Sequence, residues 1–154
     1  MVKEFSRLRE DEVDVLMKAP VYVAILIAGA DGDIDKSERK EAISIANNRQ
    51  SRSREQLNDY YKQVDFDSDF ERLIGELPAG TDDRTWAIIR ELRKLNFILP
   101  KIDRAFAIKL HASLKDLAKK VAEASGGVLS YLTISYEESK LMELKMLEDP
   151  SNYA

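Results

Sequence analysis

The chain reads as one all-α domain, a single-domain bundle of about seven or eight helices with two pseudo-repeated helix–turn–helix units. Three observations predict this. Apolar residues recur at steps of three and four from end to end, with no convincing run of strand-like alternation. Capping sequences and Pro or Gly residues divide the chain into segments of helical length. No linker or low-complexity stretch interrupts its 154 residues, a length that suits one domain with one core.

Composition narrows the class. Apolar residues are 44% and charged residues 34%, which marks a globular, soluble chain. The net charge of −4 argues against a non-specific nucleic-acid binder, which needs a basic surface. The absence of cysteine excludes disulfides and thiolate metal sites. The N-terminus carries no apolar signal core. The longest apolar run, Ala19 to Ala30, falls short of the roughly 20 residues of a membrane span. A cytoplasmic protein is expected.

In chain order, a first helix is expected over residues 3–18, with Phe5, Leu8, Val13, Leu16 and Met17 inward. Pro20, at home in a first helical turn, opens a second helix over 20–30 that is apolar on every side and therefore buried all round. Asp31-Gly32-Asp33 ends it. Asp35-Lys-Ser-Glu38 has capping-box spacing and restarts the chain, with Ala42, Ile43, Ile45 and Ala46 inward. Ser53 to Gln56 and Ser68 to Glu71 cap the next two helices. These bury Leu57, Tyr60, Tyr61 and Val64, then Phe70, Leu73, Ile74 and Leu77. After Pro78-Ala-Gly80 comes a strongly amphipathic helix with Trp86, Ile88, Ile89, Leu92, Leu95 and Leu99 inward and Arg90, Glu91, Arg93 and Lys94 outward. Pro100 interrupts it. A long helix then runs to about Ser125 on the stripe Ile102, Phe106, Leu110, Leu117, Val121 and Ala124. Gly126-Gly127 ends that helix. A loop over 128–133 leads to the capping box Ser135 to Glu138 and a last helix with Leu141, Leu144 and Met146 or Leu147. Asp149-Pro-Ser-Asn reads as a disordered tail.

Two stretches match in order. Ala28, Ala30, Gly32, Ile34 and Glu38 correspond to Ala122, Ala124, Gly126, Ile134 and Glu138, with six extra residues before Ile134. An ancient duplication, packed about a pseudo-twofold axis, accounts for the match. So does the shared grammar of helical hairpins.

Chemistry concentrates at the first turn. Asp31, Asp33, Asp35 and Glu38 lie within a few residues of one another. Like charges this close raise each other's pKa, and a hard divalent cation such as Ca2+ or Mg2+ would offset the repulsion with oxygen ligands. Glu138, or its neighbour Glu137, would complete the shell from the second unit. The pattern is not an EF-hand, because Lys36 stands where glycine is required and Ala42 where a bidentate glutamate is required. The run Asp65 to Asp69, with Glu76, is explained by its capping box. From residue types alone, ordinary turn and capping roles account for the first cluster better than a metal does. His111, the single histidine, has no partner spacing and reads as half-buried at a helix edge. Arg49 to Arg54 reads as a solvated turn, and Tyr131 and Tyr136 as loop-packing residues. No Gly-x-Ser-x-Gly elbow, Walker loop or Gly-x-Gly-x-x-Gly loop is present.

The stretch Ala-Gly-Ala-Asp31-Gly-Asp-Ile-Asp35-Lys-Ser-Glu38 resembles the acidic signature of the TerB-like (tellurite-resistance protein B) family. The resemblance covers residues 18–148 and includes Val64-Asp-Phe-Asp67. It departs at Ser125, where the family has Asp. The resemblance implies an all-helical fold of two pseudo-repeated units and an acidic cluster that takes divalent metal. It also implies a non-enzymatic role in a stress-response system near a membrane, through an unidentified protein partner. The alternatives are a metal-independent interaction scaffold and, more weakly, a metal-dependent phosphohydrolase. The latter lacks a Lys or Arg at phosphate-binding spacing from the cluster.

Overall fold

The computed structural model describes residues 3–30, 34–52, 55–124, 141 and 143–153. Every regular element among them is helical: α1 (Glu10–Ala28), α2 (Lys36–Arg52), α3 (Glu55–Lys62), α4 (Phe66–Glu76), α5 (Thr81–Arg93), the single turn α6 (Leu95–Ile98) and α7 (Arg104–Ala124). Short 3-10 turns cover Lys3–Phe5, Leu99–Lys101 and Pro150–Asn152. The all-α class is thus as expected. Gly126-Gly127, the 128–133 loop, the Ser135 to Glu138 box and the Ser53-Arg54 start of a cap lie outside the described residues.

Helix α1 is the hub. It packs against α2, α4, α5 and α7. Every residue from Ala19 to Gly29 is buried, so a helix without a polar face is what this position requires. Buried residues from Phe5 to Leu147 form one hydrophobic cluster. At its centre Phe5 sits edge-on to Phe106 at 5.6 Å, and Tyr60 edge-on to Tyr61 at 5.0 Å. Such pairs contribute about 0.5–1.5 kcal/mol each beyond the area they bury.

The first two expected helices are not as read. Residues 3–5 form a detached 3-10 turn, and α1 starts at Glu10 and runs straight through Pro20. A mid-helix proline has no N–H for the carbonyl four residues back, here Leu16, and its ring crowds that carbonyl. The structure meets this with a distant donor. The Tyr60 hydroxyl donates to the Leu16 carbonyl at 2.6 Å, deep in the core. Complete burial holds the Tyr60 pKa well above its ordinary value, so the hydroxyl keeps its proton. Pro20 therefore marks a position inside a helix whose lost bond is replaced from α3.

Other boundaries shift for local reasons. Asp65, not Ser68, caps α4: its Oδ1 accepts from the Ser68 N–H at 3.2 Å. Trp86 faces outward at 56% exposure. The inward line of α5 is Arg84, Ile88 and Leu92, continued by Leu95, and Trp86 lies two residues, about 200°, from both Arg84 and Ile88. Residues 143–146 are turns rather than helix, with buried Leu144 at φ 51°. That left-handed conformation costs leucine about 1–2 kcal/mol, which its full burial offsets. The expected disordered tail is a capped 3-10 turn. Asp149 accepts from the Ser151 N–H at 2.9 Å, Arg104 donates to the Ser151 carbonyl at 2.6 Å, and Pro150 is buried.

Tyr60→Phe leaves the Leu16 carbonyl without its donor and should lower unfolding free energy by about 1–3 kcal/mol in urea titrations. In a Pro20→Ala background, where residue 20 regains an N–H for that carbonyl, most of the Tyr60→Phe cost should vanish. Equal costs in both backgrounds would show that the hydroxyl does not stand in for the missing amide.

Candidate functional site

The corner between α1 and α2 is fixed on both sides of the acidic turn. On the α1 side, the Gly29 N–H donates to the Ile25 carbonyl at 2.9 Å and the Ala30 N–H to Ile27 at 3.3 Å. The Gly29 carbonyl accepts from Arg84 Nη2 at 2.8 Å. Arg84 is only 8% exposed. A cation set on the last carbonyls of a helix is favoured by the helix dipole. It fits because residue 29 has no side chain: a Cβ there would lie 2.5 Å from Arg84 Nη2 and 3.1 Å from Ile34 Cδ1. Close packing is thus the role of this glycine.

On the α2 side, buried Ile34 anchors the chain and exposed Asp35 caps the helix, its Oδ1 accepting from the Glu38 N–H at 2.8 Å. Arg39 ties the corner to α4, with Nε donating to the Ile34 carbonyl at 3.3 Å and Nη1 to Glu71 Oε2 at 3.1 Å. Outside it lies a groove of about 620 Å³ walled by Lys36, Arg39, Lys40, Ile43 and Glu71.

Of the expected metal ligands, Asp35 and Glu38 stand together at the start of α2. Asp31, Asp33 and Glu138 lie outside the described residues, as do Gly32, Tyr131, Tyr136 and the rest of the expected second unit beyond Ala124. Among the described residues no group of three His, Cys, Asp or Glu side chains converges as a metal site. The residue that linear reading missed is Arg84. It is 55 positions from Gly29, and its only sequence signal is that it falls on the apolar line of α5, four residues before Ile88. The structure therefore brings a buried guanidinium to the acidic corner, already engaged with a backbone carbonyl.

Among the described residues two other charged or titratable side chains, Glu12 and His111, are buried. Glu12 accepts from the Arg9 N–H at 3.0 Å and from Lys101 Nζ at 2.7 Å. The Lys101 ammonium, foremost, holds its carboxyl below the usual range. His111 is buried rather than at a half-exposed edge, and that burial lowers its pKa, opposed by the charge of Asp149. No protein family, curated protein or solved structure matches this chain. Among the described residues no helix is long and apolar enough to cross a membrane.

A histidine with a lowered folded pKa binds its proton less readily in the native state than in the unfolded chain. His111 therefore supports stability fully above its ordinary value of about 6.5, and that support is lost as pH falls toward its lowered native value. Melting temperature should drop across this window, and His111→Gln should flatten the drop. Separately, Gly29→Ala should cost about 1–3 kcal/mol by forcing Arg84 off the Gly29 carbonyl. Denaturant titration should find most of that cost gone in an Arg84→Met background.

Proposed function

We propose that the chain is a non-enzymatic binding module whose working part is the α1–α2 corner, in keeping with its resemblance to the TerB-like family. In this reading a divalent cation, Ca2+ or Mg2+, is held by Asp31, Asp33, Asp35 and Glu38. The second unit, α7 followed by Ser135 to Glu138, adds Glu138. The cation orders the turn and shapes a surface for a protein partner in a membrane-associated stress response.

The observation that carries this reading is the anchoring of the corner. The Arg84–Gly29 bond before the turn and the Asp35 cap after it hold both ends of a seven-residue span, Gly29 to Asp35, that contains three carboxylates. A chelating turn pays less conformational entropy on binding when its ends are already fixed. The Asp35 cap uses Oδ1 for its N–H bond. A carboxylate offers up to four lone-pair sites, so an N-cap aspartate can still ligate a metal.

Arg84 itself supports a second reading, a metal-independent interaction scaffold. A resident guanidinium favours nearby carboxylates as an added cation would, and does so within the fold. A phosphohydrolase draws no support from it, because this guanidinium is buried and already donates to a backbone carbonyl.

Calorimetric titration with Ca2+ and Mg2+ separates the readings. The cation-binding module should give saturable heat and a raised melting temperature, both lost in Asp35→Asn and Glu38→Gln. Asparagine caps helices about as well as aspartate, so Asp35→Asn removes the charge and spares the fold. No heat and no thermal shift at about 10 mM metal, some four orders of magnitude above a sensor-type Kd, would leave the scaffold reading. Turnover of a phosphate ester by metal-loaded protein would instead make it an enzyme.

A further inference from the structure

We propose that the outer face of α5 and α6 is a self-association surface whose occupant is a second copy of this chain, lying antiparallel about a twofold axis. The observation is a stripe of exposed side chains. Asp82, Trp86, Arg90, Arg93 and Phe97 follow one another at steps of four, four, three and four, with Asp83 and Lys94 beside them, and all are exposed. Lys94, at φ −59° and ψ −27°, keeps the chain helical between α5 and α6, so Phe97 stays in line with Trp86. Trp86 is 56% and Phe97 77% exposed, the two most exposed large apolar side chains among the described residues.

The charges on this stripe are unusual in two ways. Asp82, Asp83, Arg90 and Arg93 have no ion-pair partner among the described residues, whereas Asp69, Arg72, Glu91 and Lys94 are all paired. They are also segregated: both carboxylates lie at the N-terminal end and the cations toward the C-terminal end. A surface acidic at one end and basic at the other is complementary to itself when turned end for end, which is the requirement of an isologous interface.

One register satisfies the whole stripe. With the twofold at the level of Ile88, the same edges of the two stripes face each other: Asp82 meets the partner's Arg93, and Asp83 meets the partner's Lys94, which also pairs with Glu91 of its own chain. Trp86 meets the partner's Arg90, a cation–π pairing, and Phe97 meets the partner's Ala79 beside Pro78. Each contact occurs twice. An acidic peptide or an anionic lipid surface fits less well, because Asp82 and Asp83 would repel it at one end of the same stripe. A single helix face is smaller than a standard stable interface, so the dimer should be weak, with a Kd on the order of 10–100 µM, and salt-sensitive.

Sedimentation across about 5–500 µM full-length protein should show a monomer–dimer equilibrium spanning that Kd range. Emission from Trp86, the only tryptophan, should shift to the blue as the dimer forms. Asp82→Arg and Arg93→Asp should each weaken association by at least about tenfold, since each sets like charges against one another. Both positions are exposed, so melting temperatures should stay near wild type. An equimolar mixture of D82R and R93D should recover association, because every charge in the mixed pair then faces its opposite; the double variant should recover it as well. A wild-type protein that stays monomeric throughout, single variants that associate like wild type, or a mixture that fails to recover would each overturn the proposal. So would a monomer that instead binds phosphatidylserine vesicles or polyglutamate.

Discussion

The hydrogen bond from Tyr60 to the Leu16 carbonyl holds the architecture together at its least forgiving point. A helix buried on every side has no water to satisfy a broken backbone bond, and an orphaned carbonyl there costs more than an ordinary hydrogen bond contributes. Pro20 creates that orphan in the middle of α1. The remedy comes from α3, 44 residues away, through a hydroxyl that burial keeps protonated. The helix that anchors the core thus has its one missing backbone bond at Pro20 replaced from another helix.

The same dependence recurs at both ends of α1. Glu12 in the first turn is satisfied by the Arg9 N–H and by Lys101, and Gly29 past the last turn by Arg84. An anion at the N-terminus and a cation at the C-terminus both agree with the helix dipole. Three side chains from three other segments therefore meet the polar needs of one helix. Each reaches a backbone or buried group that α1 cannot satisfy itself. The acidic corner begins where the last of these ties is made, so its electrostatics include a guanidinium from α5 as well as the local carboxylates.

The outer face of the bundle follows a different logic. On α5 the buried line is set by Arg84, Ile88 and Leu92, and this line turns Trp86 to solvent. An amphipathic count that places every large apolar residue inside cannot distinguish the two faces. A buried arginine and an exposed tryptophan exchange their usual places, and the bond from the arginine to the Gly29 carbonyl offsets part of the cost of burying its charge.

The residues alone determined much of this protein. The helical period, the Pro78 to Gly80 break, the amphipathic helix that follows it, the long stripe of α7 and the cap at Asp35 were all legible, because each rests on contacts within four residues. The burial of Ala19 to Ala28 was legible too, since a run with no polar face has one stable destination. What only the tertiary structure decided are the matters that depend on distant partners. Pro20 is interior to α1 because Tyr60 supplies its missing bond, Gly29 is a seat for Arg84, and Asp149 with Pro150 is docked by Arg104. Local spacing carries no information about which side chain, 40 or 90 residues on, will arrive to satisfy a buried group.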